Sequence, residues 1–320
     1  MRICTITCQN TDNHGARLQA YALAKHLRDQ DNEVEIIDYR PPYMDPAYRV
    51  FYWPGCGFKE WGRFFYYLPN RILMRRRHAS FVSFANRYLP LTKRVYHSIS
   101  DLRSYPPEAD LYLAGSDQIW NTYFPNGTDP AYYLDFGDTS IRRESYAASF
   151  GANSLRPGSE EFVKVNLTRF QSISVREDSG LEILEKMGYH GELKDDPVFL
   201  LSCQQWDMIA DGAGKGDNYV LVYDFFSDKK IKIKAKSLAK EKRLRIYAIC
   251  PRWQLYADKN FVTSGPETFV SLVKNASYVV TNSFHAIAFS IIFHRPFEFV
   301  ERPDGLNDRM RDFLGRHKSS

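Results

Sequence analysis

The sequence lacks the features that mark membrane-spanning, disulfide-bonded and zinc-binding proteins. No apolar run approaches the ~20 residues that a membrane-spanning helix requires. The five cysteines include no CxxC pair, so neither a disulfide framework nor a zinc knuckle is indicated. Residues 1–8 turn polar too early for a signal peptide and are typical of a first strand. We therefore expect a cytoplasmic protein that holds no metal ion.

Acidic residues are absent from one long segment. The net charge is only +5, but residues 61–100 contain eight Arg or Lys and no Asp or Glu. Aromatic residues are frequent just upstream and at its start. The segment is either a solvated basic helix face or, at residues 50–78, an interfacial contact with an anionic membrane at the inner face of the bilayer. Nucleic-acid binding is not expected, because no recognised module accompanies the basic residues.

The order of apolar and polar segments predicts two α/β domains. Residues 1–40 have a strand–helix–strand pattern, which implies a parallel sheet, and the pattern returns after residue 218. A chain of 320 residues also favours two domains. We expect a first domain at 1–210 with a basic aromatic insertion at about 43–100, a Gly-rich linker at 211–218, and a second domain at 218–320.

Within Val279–Phe293 the pattern predicts a strand that is followed directly by a helix. Asn282 or Ser283 can cap the new helix, which places His285 in or beside its first turn. Helix N-termini bind anions, and ligands collect where the strands of a parallel sheet end. The alternative is a capped helix whose His packs against the core.

A second strand end carries polar residues at Gly115–Asn121. Asp117 could accept a proton from a sugar hydroxyl, and Trp120 could stack on a sugar ring. The alternatives are an Asp that caps the next turn and a Trp that lies in the core.

Four blocks of the chain resemble the polysaccharide pyruvyl transferase family. They occur in the family's order and are Asn10–Leu23, Gly115–Asn121, Ser174–Glu177 and Pro266–Phe293. Leu193–Leu201 is similar to the family as well. The resemblance implies two Rossmann-like domains that face each other across a cleft, as in GT-B enzymes.

The resemblance also implies a reaction. Family members transfer the enolpyruvyl group of phosphoenolpyruvate onto two hydroxyls of one sugar, which makes a cyclic ketal and releases phosphate. The expected partners are therefore phosphoenolpyruvate as donor substrate, with no cofactor, and a sugar or lipid-linked oligosaccharide as acceptor.

The candidate site residues combine the resemblance with this chemistry. Arg176 suits a carboxylate or phosphate because its planar fork grips two oxygens, although a salt bridge to a nearby acid is the alternative. Arg252 and Arg295 are further candidates for the anionic donor; Arg252 could equally be a surface residue, and Arg295 could cap a helix end. The predicted catalytic residues are His285, Asp117 and Arg176. The predicted substrate-binding residues are Asn10, Asn13, Gly15, Ser116, Trp120, Asn121, Arg252, Asn282 and Ser283. For Asn10 and Gly15 the alternative is an ordinary turn that begins a helix.

The sequence departs from the family in three places. Ser283 stands where some branches have an arginine, Ala286 replaces a common glycine, and the chain stops at Ser320, where relatives usually continue through helices that cross back to the first domain. We therefore keep two other functions open. They are a sugar-nucleotide glycosyltransferase of GT-B type and a non-catalytic member that binds glycan or membrane.

Overall fold

The chain divides into two compact units. A computed structural model describes residues 1–44, 58–225, 227–301 and 308–317, and the side chains of 58–69, 308–309, 311–312 and 317 are not among the described parts. The first unit comprises Met1–Asp45, Tyr88–Leu201 and Arg302–Ser320, and the second comprises Pro46–Arg87 and Ser202–Glu301. Elements are numbered in chain order along the whole chain.

The first unit is built on a parallel sheet in the order β3-β2-β1-β4-β5. Its strands are β1 (Arg2–Ile6), β2 (Glu33–Tyr39), β3 (Leu91–Tyr96), β4 (Leu111–Ala114) and β5 (Arg142–Ser145). The inner strands are apolar on both faces, which is typical of a parallel sheet covered by helices. The chain leaves the first strand toward one side and the fourth toward the other, so a topological switch point lies between β1 and β4.

Helices and a small second sheet complete this unit. The helices are α1 (His14–Arg28), α3 (Ile99–Ser104), α4 (Glu160–Leu167), α5 (Asp178–Lys186) and α10 (Asp308–His317). The small sheet pairs β6 (Ser174–Val175) with β7 (Glu192–Leu193). Short 3₁₀ helices lie at Pro42–Met44, Pro125–Thr128, Pro130–Tyr133 and Pro197–Leu200.

The second unit repeats the same strand order, β10-β9-β8-β11-β12. Its strands are β8 (Tyr219–Tyr223), β9 (Arg245–Ala248), β10 (Lys259–Asn260), β11 (Tyr278–Thr281) and β12 (Phe297–Phe299). Its helices are α2 (Phe58–Tyr88, which ends in the first unit), α6 (Cys203–Asp207), α7 (Lys229–Lys242), α8 (Pro266–Asn275) and α9 (Phe284–Ile292). The switch point of this sheet lies between β8 and β11.

The predicted α/β class with two Rossmann-like domains is confirmed, because each unit has a parallel sheet and crossover helices. The domain limits differ from the predicted ones. The boundary falls between Leu201 and Ser202, and the Gly-rich segment 211–218 lies inside the second unit. Within the described ranges, none of the helices combines the length and apolar character needed to cross a bilayer.

The basic segment, residues 61–100, forms most of α2 and continues through β3 to the start of α3. Arg75 and Arg76 are exposed, but Arg77 is buried in the second unit, where it donates to the Val262 carbonyl and lies 5.0 Å from the Phe81 ring. The run is therefore not a uniformly solvated face. Most of the aromatic residues predicted to contact a membrane fall in 45–57 or among the side chains of 58–69, outside the described parts.

The helix α10 packs within the first unit. α10 belongs to the first unit and contacts α5. Its Phe313 is buried and lies 5.8 Å from the Phe199 ring, and the Arg316 Nη2 donates to the Arg176 carbonyl at 3.3 Å. An aromatic contact and a hydrogen bond therefore attach α10 to the rest of the first unit.

Candidate active site

Asp117 stands at the switch point of the first unit in a strained conformation. It follows β4, and its φ of +75° lies in the left-handed region, which only a few per cent of residues other than Gly adopt. Its carbonyl accepts the Ile119 N–H at 2.8 Å and the Ser149 N–H at 3.0 Å, which hold the turn in place. The side chain is 17% exposed. Strain of this kind persists only where the surroundings enforce it, and it is concentrated at functional sites.

The neighbouring strand end is strained as well. Ala147, which follows β5, has a φ of +47°. Its carbonyl accepts the Ser116 hydroxyl at 2.8 Å, and its N–H donates to the Ser174 hydroxyl at 2.9 Å. These bonds connect the residues that follow β4 and β5 with the first residue of β6.

Arg176 lies behind Asp117 among three carboxylates. Its Nη1 donates to Asp196 at 2.6 Å, its Nη2 to Asp117 at 3.4 Å, and its Nε lies 3.6 Å from Glu177. Burial by itself lowers the pKa of this guanidinium, but the charges of Asp196, Asp117 and Glu177 outweigh it and raise the pKa above its usual value. Arg176 therefore stays charged.

The prediction that Arg176 grips the donor is corrected by this geometry. The side chain is only 3% exposed, and its guanidinium nitrogens already face carboxylates. The structure contains the alternative, a salt bridge between Arg176 and a nearby acid, Asp196. Arg176 instead positions Asp117, the most exposed of the three acids.

Glu177 and Asp196 are site residues that sequence reasoning did not select. One oxygen of Glu177 accepts the Ser149 hydroxyl at 2.8 Å and the backbone N–H groups of Phe150 at 2.8 Å and Gly151 at 3.2 Å. Asp196 caps the 3₁₀ helix that follows it through the Val198 N–H. Both residues lie in blocks that resemble the family, and this resemblance was the feature of the sequence that could have identified them. Among the described residues, no group of three His, Cys, Asp or Glu is placed to hold a metal ion.

The loop after β1 is held by hydrogen bonds within the first unit. Asn13 caps α1 by accepting the N–H groups of Gly15 at 2.9 Å and Ala16 at 3.3 Å, as in an ordinary helix-initiating turn. Asn10 is half-buried, and within the described residues its side chain makes no hydrogen bond. Of the three predicted loop residues, Asn10 has the side chain most available to a substrate.

Arg17 is a buried cation that fixes the same loop. Its guanidinium donates to the Gln9 side chain at 2.8 Å and to the Thr11 carbonyl at 3.2 Å. Gln9 in turn donates to Asp38 at 3.0 Å, and Asp38 is paired with Arg40. Burial lowers the pKa of Arg17 to about 10. In the sequence, the feature that could have indicated this network is Arg17, an arginine on the buried face of the first predicted helix.

The structure places three predicted substrate-binding residues in the interior. Trp120 is fully buried, donates to the Tyr132 carbonyl at 3.1 Å and stacks on Tyr133 with ring centroids 5.7 Å apart. Ser116 is fully buried and bonded to Ala147. Asn121 is buried and donates to Gln118 at 2.9 Å. The predicted sugar platform at Trp120 is therefore wrong, because its ring has no exposed face.

In the second unit, the strand end and the helix start within Val279–Phe293 lie where the sequence predicts, but the predicted cap by the side chain of Ser283 does not form. β11 ends at Thr281, and α9 begins after Ser283, with His285 in its first turn. The Thr281 hydroxyl donates to the Tyr223 carbonyl at 2.7 Å and accepts the Ser283 N–H at 3.0 Å, which fixes the turn at the switch point. Asn282 is buried, and Ser283 makes no capping bond with its side chain. The helix N-terminus beside His285 is therefore not capped by the residue in the N-cap position.

The two other candidate arginines lie at opposite edges of the second sheet. Arg252 follows the carboxyl end of β9, is exposed and has no ion pair among the described residues. Arg295 precedes β12 and is therefore at the amino edge, where its backbone N–H donates to the Ser290 carbonyl at the end of α9. This main-chain bond does not involve the guanidinium. Of the two arginines, only Arg252 shares an edge with His285.

Comparison with known proteins gives one family match. A model of the polysaccharide pyruvyl transferase family matches residues 13–302. No curated protein matches the chain.

Several solved structures are distantly similar. They include UDP-N-acetylglucosamine 2-epimerase from Rickettsia bellii (12% identity, TM-score 0.49, covering 100% of this chain and 87% of that one). A second is UDP-GlcNAc 2-epimerase from Methanocaldococcus jannaschii (11% identity, TM-score 0.48, covering 96% of this chain and 87% of that one). A third is heptosyltransferase WaaC from E. coli (10% identity, TM-score 0.42, covering 95% of this chain and 89% of that one). At these TM-scores the likeness carries no conclusion about substrate or reaction.

Proposed function

The chain belongs to the polysaccharide pyruvyl transferase family, and from this we propose that it moves the pyruvyl group of phosphoenolpyruvate onto a glycan sugar as a cyclic ketal. The family match over residues 13–302 is the observation that carries the proposal. The acceptor we propose is a sugar of a cell-surface glycan or exopolysaccharide, in the form of a lipid-linked precursor.

The reaction sets the demands on the residues. A proton adds to the methylene carbon of phosphoenolpyruvate, and a sugar hydroxyl oxygen bonds to C2. The C2–O bond to phosphate then breaks, and a second hydroxyl of the same sugar takes its place. Two hydroxyl protons are lost; one is balanced by the new methyl group and the other leaves with phosphate. The protein must supply a base, an acid and cationic or dipolar partners for the donor.

Asp117 is our candidate for the base. It is partly exposed at the switch point, and its conformation is held by backbone bonds from Ile119 and Ser149. Arg176 lies behind it at 3.4 Å and keeps its carboxylate oriented toward the edge of the sheet. A base must be oriented before it can accept a hydroxyl proton, which is the role we give to Arg176.

His285 and the N-terminus of α9 are our candidates for the donor phosphate. The amides of a first helical turn favour an anion, and the side chain of Ser283 does not cap them. In this arrangement His285 is our candidate for the acid that protonates the methylene carbon. Arg252 at the same edge would meet the donor carboxylate.

The test is a thermal melt of the wild type and of paired variants, with and without ligand. Phosphoenolpyruvate should raise the melting temperature, because a ligand that binds only the folded state stabilises it by mass action. The His285→Asn and Arg252→Gln variants should lose the shift. The matched controls His294→Asn, at the far end of α9, and Arg295→Gln should keep it. A shift with UDP- or GDP-sugars alone would replace the proposal with a sugar-nucleotide glycosyltransferase, and no shift with any of them would favour a non-catalytic member.

A further inference from the structure

An exposed basic face lies along α7 in the second unit. The helix holds seven lysines and one acidic residue. Its apolar residues Ile231, Ala235, Leu238 and Ala239 are buried against the sheet. The opposite side, which we call the basic face, is exposed along its length and consists of Lys229, Lys232, Ile233, Lys236 and Lys240.

The charge of the basic face is not neutralised by the rest of the described chain. Of the lysines on this helix, Lys234 pairs with Glu298 at 2.9 Å and Lys242 with Glu241 at 3.6 Å. Neither belongs to the basic face. None of its four lysines has a carboxylate within ion-pair distance among the described residues. The face also holds an apolar side chain, because Ile233 is 68% exposed.

An exposed apolar loop follows β9. Trp253 is 61% exposed and Leu255 is 95% exposed, and Arg252 beside them is exposed too. The loop is nevertheless fixed, since the Gln254 N–H donates to the Asn260 side chain at 2.7 Å. Two large apolar side chains are thus held in solvent by an ordered backbone.

The loop and the basic face form one surface. The Gln254 side chain donates to the Ser227 hydroxyl at 3.2 Å, immediately before the residue that caps α7. The Lys232 ammonium lies 5.7 Å from the centroid of the Tyr256 ring. The exposed tip at Trp253 and Leu255 is therefore flanked by the lysines of the first two turns of α7.

We propose that the basic face and residues 253–255 dock the protein on a membrane that contains anionic lipid. The lysines would lie against the headgroups, and Trp253 and Leu255 would enter the interfacial layer, where Trp is favoured. A soluble polyanion could neutralise the lysines, but it would leave Leu255 in water. Lipid accounts for the charge and for the apolar tip together.

The position of this surface bears on the acceptor. Trp253 follows β9, and α7 follows β8, so the surface adjoins the carboxyl edge of the sheet at which His285 stands. A sugar carried on a lipid would be delivered to that edge. This consequence rests on the proposed function, whereas membrane docking does not.

Flotation of the full chain with vesicles tests the proposal. Vesicles of phosphatidylcholine with phosphatidylglycerol should carry the protein upward, while phosphatidylcholine alone should not, and added salt should weaken the binding. A Lys229→Gln/Lys232→Gln/Lys236→Gln variant should bind on the order of a hundredfold more weakly, since each lysine near an anionic surface contributes about fivefold.

Matched variants separate this surface from net charge. Lys93→Gln/Lys164→Gln/Lys186→Gln changes the formal charge equally on exposed residues of the first unit and should bind nearly as well as the wild type. Equal loss in both triple variants would overturn the proposal. So would a loss produced by Arg75→Gln/Arg76→Gln but not by the α7 variant, which would place the contact on α2.

The apolar tip has its own readout. Vesicles should shift the tryptophan emission of the wild type to the blue, and Trp253→Phe should lose most of that shift, while Leu255→Ser weakens flotation. An emission shift that persists in Trp253→Phe would overturn insertion of the tip. Turnover of phosphoenolpyruvate with a soluble sugar acceptor is measured in parallel. This assay tests the proposed reaction without a membrane, so that failure of the reaction and failure of docking can be told apart.

Discussion

Arg176 Nη1 donates to Asp196 Oδ2 at 2.6 Å, with both side chains buried. The Ser116 hydroxyl, bonded to the Ala147 carbonyl, lies 3.4 Å from the same carboxylate oxygen. One buried ion pair thereby connects the ends of β4, β5 and β6 with the 3₁₀ helix Pro197–Leu200. This framework holds Asp117 in its strained turn.

Removing the cation of this pair should destabilise the first unit. Arg176→Met leaves Asp196 and Glu177 buried without a positive partner, so we expect the free energy of unfolding to fall by about 3–5 kcal/mol in urea denaturation. Arg142→Met, which breaks an exposed pair with Glu144, should cost less than about 1 kcal/mol. Similar losses in the two variants would show that the buried pair has no special role.

Asp117→Asn should separate catalysis from folding. Asn tolerates a positive φ, so the melting temperature should stay close to that of the wild type. Loss of the base should lower turnover by roughly 10²–10⁴-fold in a phosphate-release assay. Asp195→Asn, at an exposed neighbouring acid, is the control and should keep its turnover. An active Asp117→Asn enzyme would exclude Asp117 as the base.

Trp120→Ala should act on stability and not on sugar binding. The ring packs against Tyr133, Phe150 and Phe170, so we expect a loss of about 3–5 kcal/mol in the free energy of unfolding. Trp253→Ala, at an exposed position, should change it by less than about 0.5 kcal/mol. Below the melting transition, the KM for the acceptor should not change in Trp120→Ala. A raised KM with unchanged stability would restore the sugar platform.

Buried thiols should make the fold sensitive to alkali. The pKa values of Cys4 and Cys250 are raised from 9.0 to about 12, and burial of the two thiols is the largest cause. The unfolded chain releases these protons from about pH 9 upward, whereas the folded chain keeps them to about pH 12. The stabilisation is therefore complete below pH 9 and is lost as the pH rises toward 12.

Urea midpoints across this range check the prediction. The loss should approach about 1.4 kcal/mol per pH unit for each thiol ionised only in the unfolded chain. Cys250→Ala should flatten the slope by one such contribution, although its stability at pH 7 falls for packing reasons. An unchanged slope in Cys250→Ala would show that other groups cause the alkaline loss.

Local sequence patterns determined much of the second unit. The structure contains strands at Tyr219–Tyr223 and Tyr278–Thr281 and a helix at Pro266–Asn275, all of which follow from local patterns. A continuous apolar run bounded by polar residues specifies a buried strand, and Pro at the first turn specifies a helix start. The position of His285 follows from the same rules, because both the strand end and the helix start are local features.

By itself the sequence determined the α/β class, the two parallel sheets and the loops at which polar residues gather, because these follow from apolar periodicity and turn residues within a few positions. Only the tertiary structure decided what those polar residues contact. Arg176 meets Asp196, 20 residues away, and Trp120 lies among aromatic rings from separate segments. It also decided that α2 up to Arg87 belongs to the second unit. Such contacts depend on which surfaces the folded chain brings together, and neighbouring residues do not encode them.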